Sequence, residues 1–397
     1  MQNLESFQTM KFKFLEALRG VAAFLVFINH IQGNLPWFDN HKNLFVRSFS
    51  AWGSESVIVF FILSGVVIHH VSVKSNDSPL LFLKKRAVRL LPIYYVAFLL
   101  VECVYYVVTH KFDSTESLIC SSLFLATLQG LFSRPLAFNP VIWSLSFELF
   151  FYLFFSFSIG KHQKIFLRIW FVCSLLAVFL SYFRSGNVIF DYLVLMFSFS
   201  CLWLMGYFIY GWRDLIKVNF PLAVFSASMV PCLSRLQISP NYFDPTIYLI
   251  STFLWLPFFV LALRSQVADK NTKSLNLNHL FYIPFYLALS FVSFKFSKSL
   301  GITKLVYNIL PLLALFLLIR PFELIVKTIL VKCISFFTFI GTISYALYLL
   351  HTPFVHLFGH FFPDNLIIDL IGIVICSFSL SIFLEFFIQK RIKNLFF

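Results

Sequence analysis

The chain has 397 residues, 59% of them hydrophobic and 12% charged, with a mean hydropathy of +0.86. A soluble globular protein is excluded, and the class is an all-α polytopic transmembrane helix bundle, read as one membrane domain over residues 1–397. The net charge of +14 does not point to nucleic acid, because the Lys and Arg of such a chain collect in loops held on the cytoplasmic side of the bilayer.

Apolar runs of spanning length fall near residues 19–36, 54–73, 90–109, 142–159, 165–183, 190–211, 218–234, 246–263, 278–294, 303–319, 335–357 and 366–388. Pro284 interrupts the run 278–294. The apolar stretch 114–132 precedes Pro135 and Pro140 and reads as a re-entrant or interfacial piece. With the N-terminus inside and the spans alternating, about 22 Lys and Arg face the cytoplasm and about 9 face the other side. The basic clusters at 84–89, 160–164 and 390–393 then all lie inside, and both termini are cytoplasmic. The first apolar segment has no small-residue cleavage site and is expected to stay as a helix. Seven cysteines stand singly, without a CxxC pair, so neither a disulfide framework nor a metal site is implied.

The first span carries Arg19 and His30, eleven residues apart. At about 100° and 1.5 Å per residue they share one stripe of one helix, about 16 Å apart along its axis. Ionisable groups inside a membrane are costly, by about 2.5–3.5 kcal/mol each on insertion scales, and are functional candidates by default. His30 reads either as a general base or as a hydrogen-bonding partner of a neighbouring helix. Ser64 lies in FFILSG (60–65), where small residues let helices approach closely. Arg86 and Arg89, three apart, share a face at the cytoplasmic start of the third span. They are ordinary positive-inside anchors or, as planar two-pronged donors, an anion site of the kind phosphate prefers.

Glu148 stands in WSLSFE, after Trp143 and Ser144, at about the depth of His30. It reads as a carboxylate that orients the imidazole or as an interhelical clamp. Tyr345, Tyr348 and His351 recur at three-residue spacing in ISYALYLLH and form one polar stripe on an apolar helix. His351, His356 and His360 lack an accompanying carboxylate or Cys in a metal-binding pattern, and no metal is expected. Glu102 and Glu385 are interior carboxylates with no partner legible in the sequence. No phosphate-loop, dinucleotide or nucleophile-elbow motif occurs. The residues alone describe a polar channel with an internal base and an inner anion site.

In order along the chain, these pieces resemble the acyltransferase-3 family of integral membrane enzymes, which O-acylate extracytoplasmic sugars and related acceptors. LEALRG with Arg19 and His30 is similar to the family's LDGLRG start and following His, with Glu16 and Ala17 in place of Asp-Gly. FFILSG matches its FFxLSG stretch, RAVRLLP its RxxRxxP, WSLSFE its WSLxxE, and ISYALYLLH its ISYxLYLxH. FSCLWLMGYFIYG (199–211) matches a further family helix less sharply, and Leu149 stands where an aromatic is usual. The family core has ten helices, and the twelve runs counted here leave up to two more between residues 212 and 334. No soluble esterase-like domain is encoded.

The resemblance implies a mechanism. No cofactor is bound permanently. Acyl-CoA, taken to be acetyl-CoA, enters from the cytoplasm with its phosphates on Arg86, Arg89 and Arg19. His30, oriented by Glu148, removes the proton from an acceptor hydroxyl or carries the acyl group itself. Ser64, Trp143, Ser144, Tyr345, Tyr348 and His351 line the site. The acceptor is a glycan or lipid-linked glycan, such as O-antigen or surface polysaccharide, outside the plasma (inner) membrane. A rival reading is a glycan or organic-anion transporter that uses His30 and Glu148 as a proton relay. It would show matching broken helices or inverted repeats, and no such repeat is evident.

Overall fold

The computed structural model describes residues 2–41, 52–75, 77–126, 136–183, 186–233, 244–264 and 320–397, with residues 284, 291, 295, 309, 311, 313, 314 and 316–318. The regular elements described are all helical: α1 (Gln2–Asn34), α2 (Pro36–His41), α3 (Gly53–Lys74), α4 (Pro79–Thr109), α5 (Thr115–Ser122), α6 (Trp143–Ser158), α7 (Gln163–Leu180), α8 (Val188–Trp212), α9 (Phe220–Ser228), α10 (Val230–Leu233), α11 (Pro245–Leu263), α12 (Arg320–Phe361), α13 (Leu366–Ile382) and α14 (Gln389–Phe396). Short 3-10 turns precede α6 and α12, and a π-helical turn, Phe383–Ile388, joins α13 to α14. Among the described residues nine helical stretches are long and apolar enough to cross a bilayer. The chain is a multi-pass membrane protein.

Those nine stretches coincide with nine of the twelve apolar runs. The run 218–234 instead forms α9 and α10, of nine and four residues. Pro231 brings no N–H of its own to the turn before it, and the helix is interrupted at Met229. The expected spans 278–294 and 303–319 lie largely outside the described residues. Within the stretch 114–132, α5 is eight residues long, about 12 Å, and Ser114 caps it by accepting from the Ser117 N–H at 3.2 Å. Residues 127–135 lie outside the described part. The expected span 335–357 is the later part of a 42-residue helix, about 63 Å long and roughly twice the hydrocarbon thickness.

The chain forms two compact units. The first comprises residues 1–22, 44–71 and 202–341. Its helices approach backbone to backbone at paired glycines. A Cβ on Gly20 would sit 1.9 Å from the Phe337 carbonyl oxygen, and one on Gly341 2.1 Å from that of Glu16. Gly65 meets Trp203 and Gly206 meets Ile62 in the same manner. Small residues are what permit such contacts between membrane helices. Trp203 Nε1 donates to Ser64 Oγ at 3.1 Å across the second of these crossings. Glu323 and Lys327 form a fully buried ion pair at 2.8 Å, one turn apart on α12.

The second unit comprises residues 23–43, 72–201 and 342–397. Phe147, Phe151 and Phe155 make a fully buried stripe on α6, and Phe199 of α8 packs on Phe147 at a ring distance of 4.6 Å. Helix α4 opens on Ser78, whose Oγ accepts the Leu81 N–H, with Pro79 at the first helical position. It closes on His110 in the left-handed conformation, its N–H bonded to the Tyr106 carbonyl. Tyr94 and Tyr95 of α4 donate to the Ser121 and Ser122 carbonyls, which docks α5 on its flank.

Candidate active site

The candidate polar side chains of the second unit come from α1, α4, α6, the segment before α6, α12 and the π-helical turn. Helix α12 supplies a full stripe. Tyr345 Oη donates to the Leu90 carbonyl at 2.9 Å. Tyr348 Oη donates to the Val141 carbonyl at 3.0 Å and lies 2.9 Å from Ser144 Oγ. Ser144 Oγ also reaches the Val141 carbonyl, at 3.2 Å, so the two hydroxyls share that oxygen and either can donate to the other. Thr352 donates to Asn139 Oδ1 at 3.1 Å. Each hydroxyl of the stripe thus ends on a partner from another element, as a polar group in an apolar layer must.

His351, on the same stripe, is fully buried and reaches His30 of α1. Its Nε2 lies 3.1 Å from His30 Nδ1, and its own Nδ1 lies 2.9 Å from the Leu347 carbonyl oxygen. The ring centroids are 5.0 Å apart, and Phe27 covers the far side of His351 at 5.8 Å. His30 Nδ1 also lies 3.0 Å from the Val26 carbonyl oxygen, one turn back on α1. His30 is half-buried although it lies within a span.

Glu148 takes the hydroxyl of Tyr152, one helical turn further along α6, at 2.5 Å. Trp143 packs edge-on to Phe147 at the start of the helix. His30 therefore meets His351 directly, and Glu148 is held by Tyr152.

The two arginines of the third span part company. Arg89 forms a two-pronged ion pair with Glu385, 2.5 Å and 3.0 Å, and its guanidinium lies over the Tyr345 ring. Glu385, without a legible partner in the sequence, sits in the π-helical turn, whose wider winding sets this carboxylate toward α4. Arg86 rests over the rings of Phe82 and Tyr152, and its buried Nε has no hydrogen-bond partner among the described residues. Arg19 belongs to the first unit, where its guanidinium pairs with Glu16 at 3.2 Å. Ser64 also belongs there, bonded to Trp203. Glu102 accepts from the Asp113 N–H at 3.4 Å, and Asp113 in turn accepts from the Ala137 N–H, which ties the segment before α6 to α4.

Two further residues were missed in the sequence. Pro353 has no N–H, so it leaves the Leu349 carbonyl of α12 unpaired, and Asn139 Nδ2 donates to that oxygen at 3.1 Å. Pro92 does the same to the Val88 carbonyl of α4, and Gln389 Nε2 donates to it at 2.8 Å. The signal was present: a proline inside an apolar helix exposes the carbonyl four residues back and calls for an outside donor. Asp369, Glu323 and Lys327 are also buried ionisable groups. The latter two fall in 320–334, which the apolar pattern assigns to a loop.

A family model described as an acyltransferase domain matches residues 12–388. Among curated proteins, Acyltransferase MdmB of Streptomyces mycarofaciens is 31% identical over 147 residues, covering 36% of this chain and 37% of that relative's length. No solved structure matches the chain.

Proposed function

From the premise that the chain belongs to the acyltransferase-3 family, we propose that it transfers an acyl group, acetyl in the first instance, from cytoplasmic acyl-CoA to a hydroxyl of an extracytoplasmic glycan such as O-antigen or surface polysaccharide, in the plasma (inner) membrane. The observation that carries this reading is the half-buried imidazole of His30, set inside a span and held by a second, fully buried histidine. A sequestered neutral imidazole is suited to accept a proton from a sugar hydroxyl.

The donor's phosphates fall to Arg86. Its guanidinium is poised over two rings, its Nε has no hydrogen-bond partner among the described residues, and the adjacent first turns of α4 bring a local excess of Lys and Arg. Arg89 joins only if phosphate replaces Glu385. In the transfer itself, the acceptor oxygen loses its proton to His30 and attacks the thioester carbonyl. The C–S bond breaks, and the CoA sulfur leaves with the proton that His30 returns. Tyr345, Tyr348, Ser144 and Trp143 line the path, and Glu148 stabilises positive charge as the imidazole is protonated.

Deletion of the gene tests the reading through glycan mass. The expected result is loss of one acyl increment per repeat unit, with chain length and surface export intact, restored by complementation. Unchanged mass with lost export would overturn it in favour of transport.

A further inference from the structure

We propose that His351 is the positioning residue of this site: by accepting the proton on His30 Nδ1 it fixes the imidazole in the tautomer whose lone pair sits on Nε2. The inference rests on the proposed role of His30 as base and goes beyond it, because it states which atom of that ring reacts and what holds it.

The argument is one of donors and acceptors. A carbonyl oxygen can only accept. His351 Nδ1 lies 2.9 Å from the Leu347 carbonyl, so in the neutral ring the proton is on Nδ1 and the lone pair is on Nε2. That lone pair lies 3.1 Å from His30 Nδ1, and the Val26 carbonyl approaches the same nitrogen at 3.0 Å. Two acceptors converge on His30 Nδ1, which must therefore carry the proton. His30 Nε2 is left with the lone pair, and among the described residues no hydrogen-bond partner occupies it. The i−4 carbonyl alone is a weak constraint, because it already serves the helix. The second acceptor, from another helix, fixes the ring's direction as well as its tautomer.

The roles of the two rings do not interchange. His351 is fully buried with both nitrogens engaged, whereas His30 is half-buried and its Nε2 has no hydrogen-bond partner among the described residues. A carboxylate in the place of His351 would hold the ring more strongly but would bring a net charge into an apolar layer, where neutral groups cost far less. Glu148, the carboxylate nearest in role, is engaged by Tyr152.

The experiment uses the full chain in lipid nanodiscs with ¹⁵N-labelled histidine. The His30 signals are assigned by their loss in His30→Gln. In the wild-type protein His30 is expected as the Nδ1–H tautomer. His351→Gln, whose side-chain oxygen reaches the position of Nε2, should keep that tautomer, and His351→Leu should shift His30 toward Nε2–H. Membrane vesicles from the host strain, supplied with radiolabelled acetyl-CoA, give the kinetic counterpart as label entering glycan. His351→Leu should lower turnover on the order of 10²-fold with an unchanged KM for acetyl-CoA, and His351→Gln should recover most of it. Wild-type His30 protonated on Nε2, or the same tautomer in His351→Leu as in wild type, overturns the proposal. If wild-type vesicles transfer no label, the reading as an acyltransferase of glycans fails, while the tautomer measurement still decides the role of His351.

Discussion

At the scale of single residues, the arginine pair makes the sharpest prediction. The sequence presents Arg86 and Arg89 as equivalents on one helix face, but only side-chain geometry tells them apart. Arg89 is 37% exposed and answers Glu385, which is 6% exposed. Arg89→Ala should leave that carboxylate unpaired and destabilise the protein by about 1–3 kcal/mol, less than for a pair buried on both sides. Glu385→Gln in the same chain should recover part of the loss, as measured by thermal unfolding in detergent. Arg86→Ala has no ion pair among the described residues to break. It should instead raise the apparent KM for acyl-CoA, by about tenfold if one charge-assisted phosphate contact is lost, with turnover of the bound complex little changed. The residue types of the site were legible in the sequence, because ionisable groups stand out in an apolar chain. The pairing was not. Helical periodicity gives depth and stripe, but not which stripe faces which, and so the carboxylate of Glu148 was matched to His30 where the structure brings His351.

At the scale of helices, prolines do the positioning. Pro353 and Pro92 each free a carbonyl, and Asn139 and Gln389 each answer one. Asn139 thereby fixes the segment that carries Val141 and Ser144 against the Tyr348 turn of α12. Asn139→Ala should cost about 1–2 kcal/mol, because it strands the Leu349 carbonyl in a dry layer. Pro353→Ala supplies the missing N–H from within the helix. The double variant should therefore be more stable than Asn139→Ala alone, a sign reversal that simple loss of packing would not give. Thermal unfolding of the three purified variants reads this directly. Helix positions themselves were largely legible from hydropathy, to within a few residues at most ends. The failures have physical causes. At 218–234 apolar composition outvoted Pro231. At 320–334 four charged residues, Arg320, Glu323, Lys327 and Lys332, made a helical stretch look like a loop, although Glu323 and Lys327 neutralise each other.

At the scale of the whole molecule, the membrane class follows from composition, and the nine helices among the described residues that are long and apolar enough to span a bilayer follow from the same apolar runs. The sidedness expected from the Lys and Arg bias places both termini in the cytoplasm. A fluorescent-protein fusion at the C-terminus should be bright, and an alkaline phosphatase fusion at the same place inactive. The opposite pattern would invert the assignment of donor and acceptor sides. The family match spans residues 12–388 and so takes in the helices that carry His30, Arg86, Glu148, His351 and Glu385.

The most direct test of acyl transfer by His30 is the mass of the surface glycan in a deletion strain complemented with either the wild-type gene or His30→Ala, at equal amounts of membrane protein. The acyl increment should return with the wild-type gene and stay absent with His30→Ala. An increment restored equally by both would contradict the account.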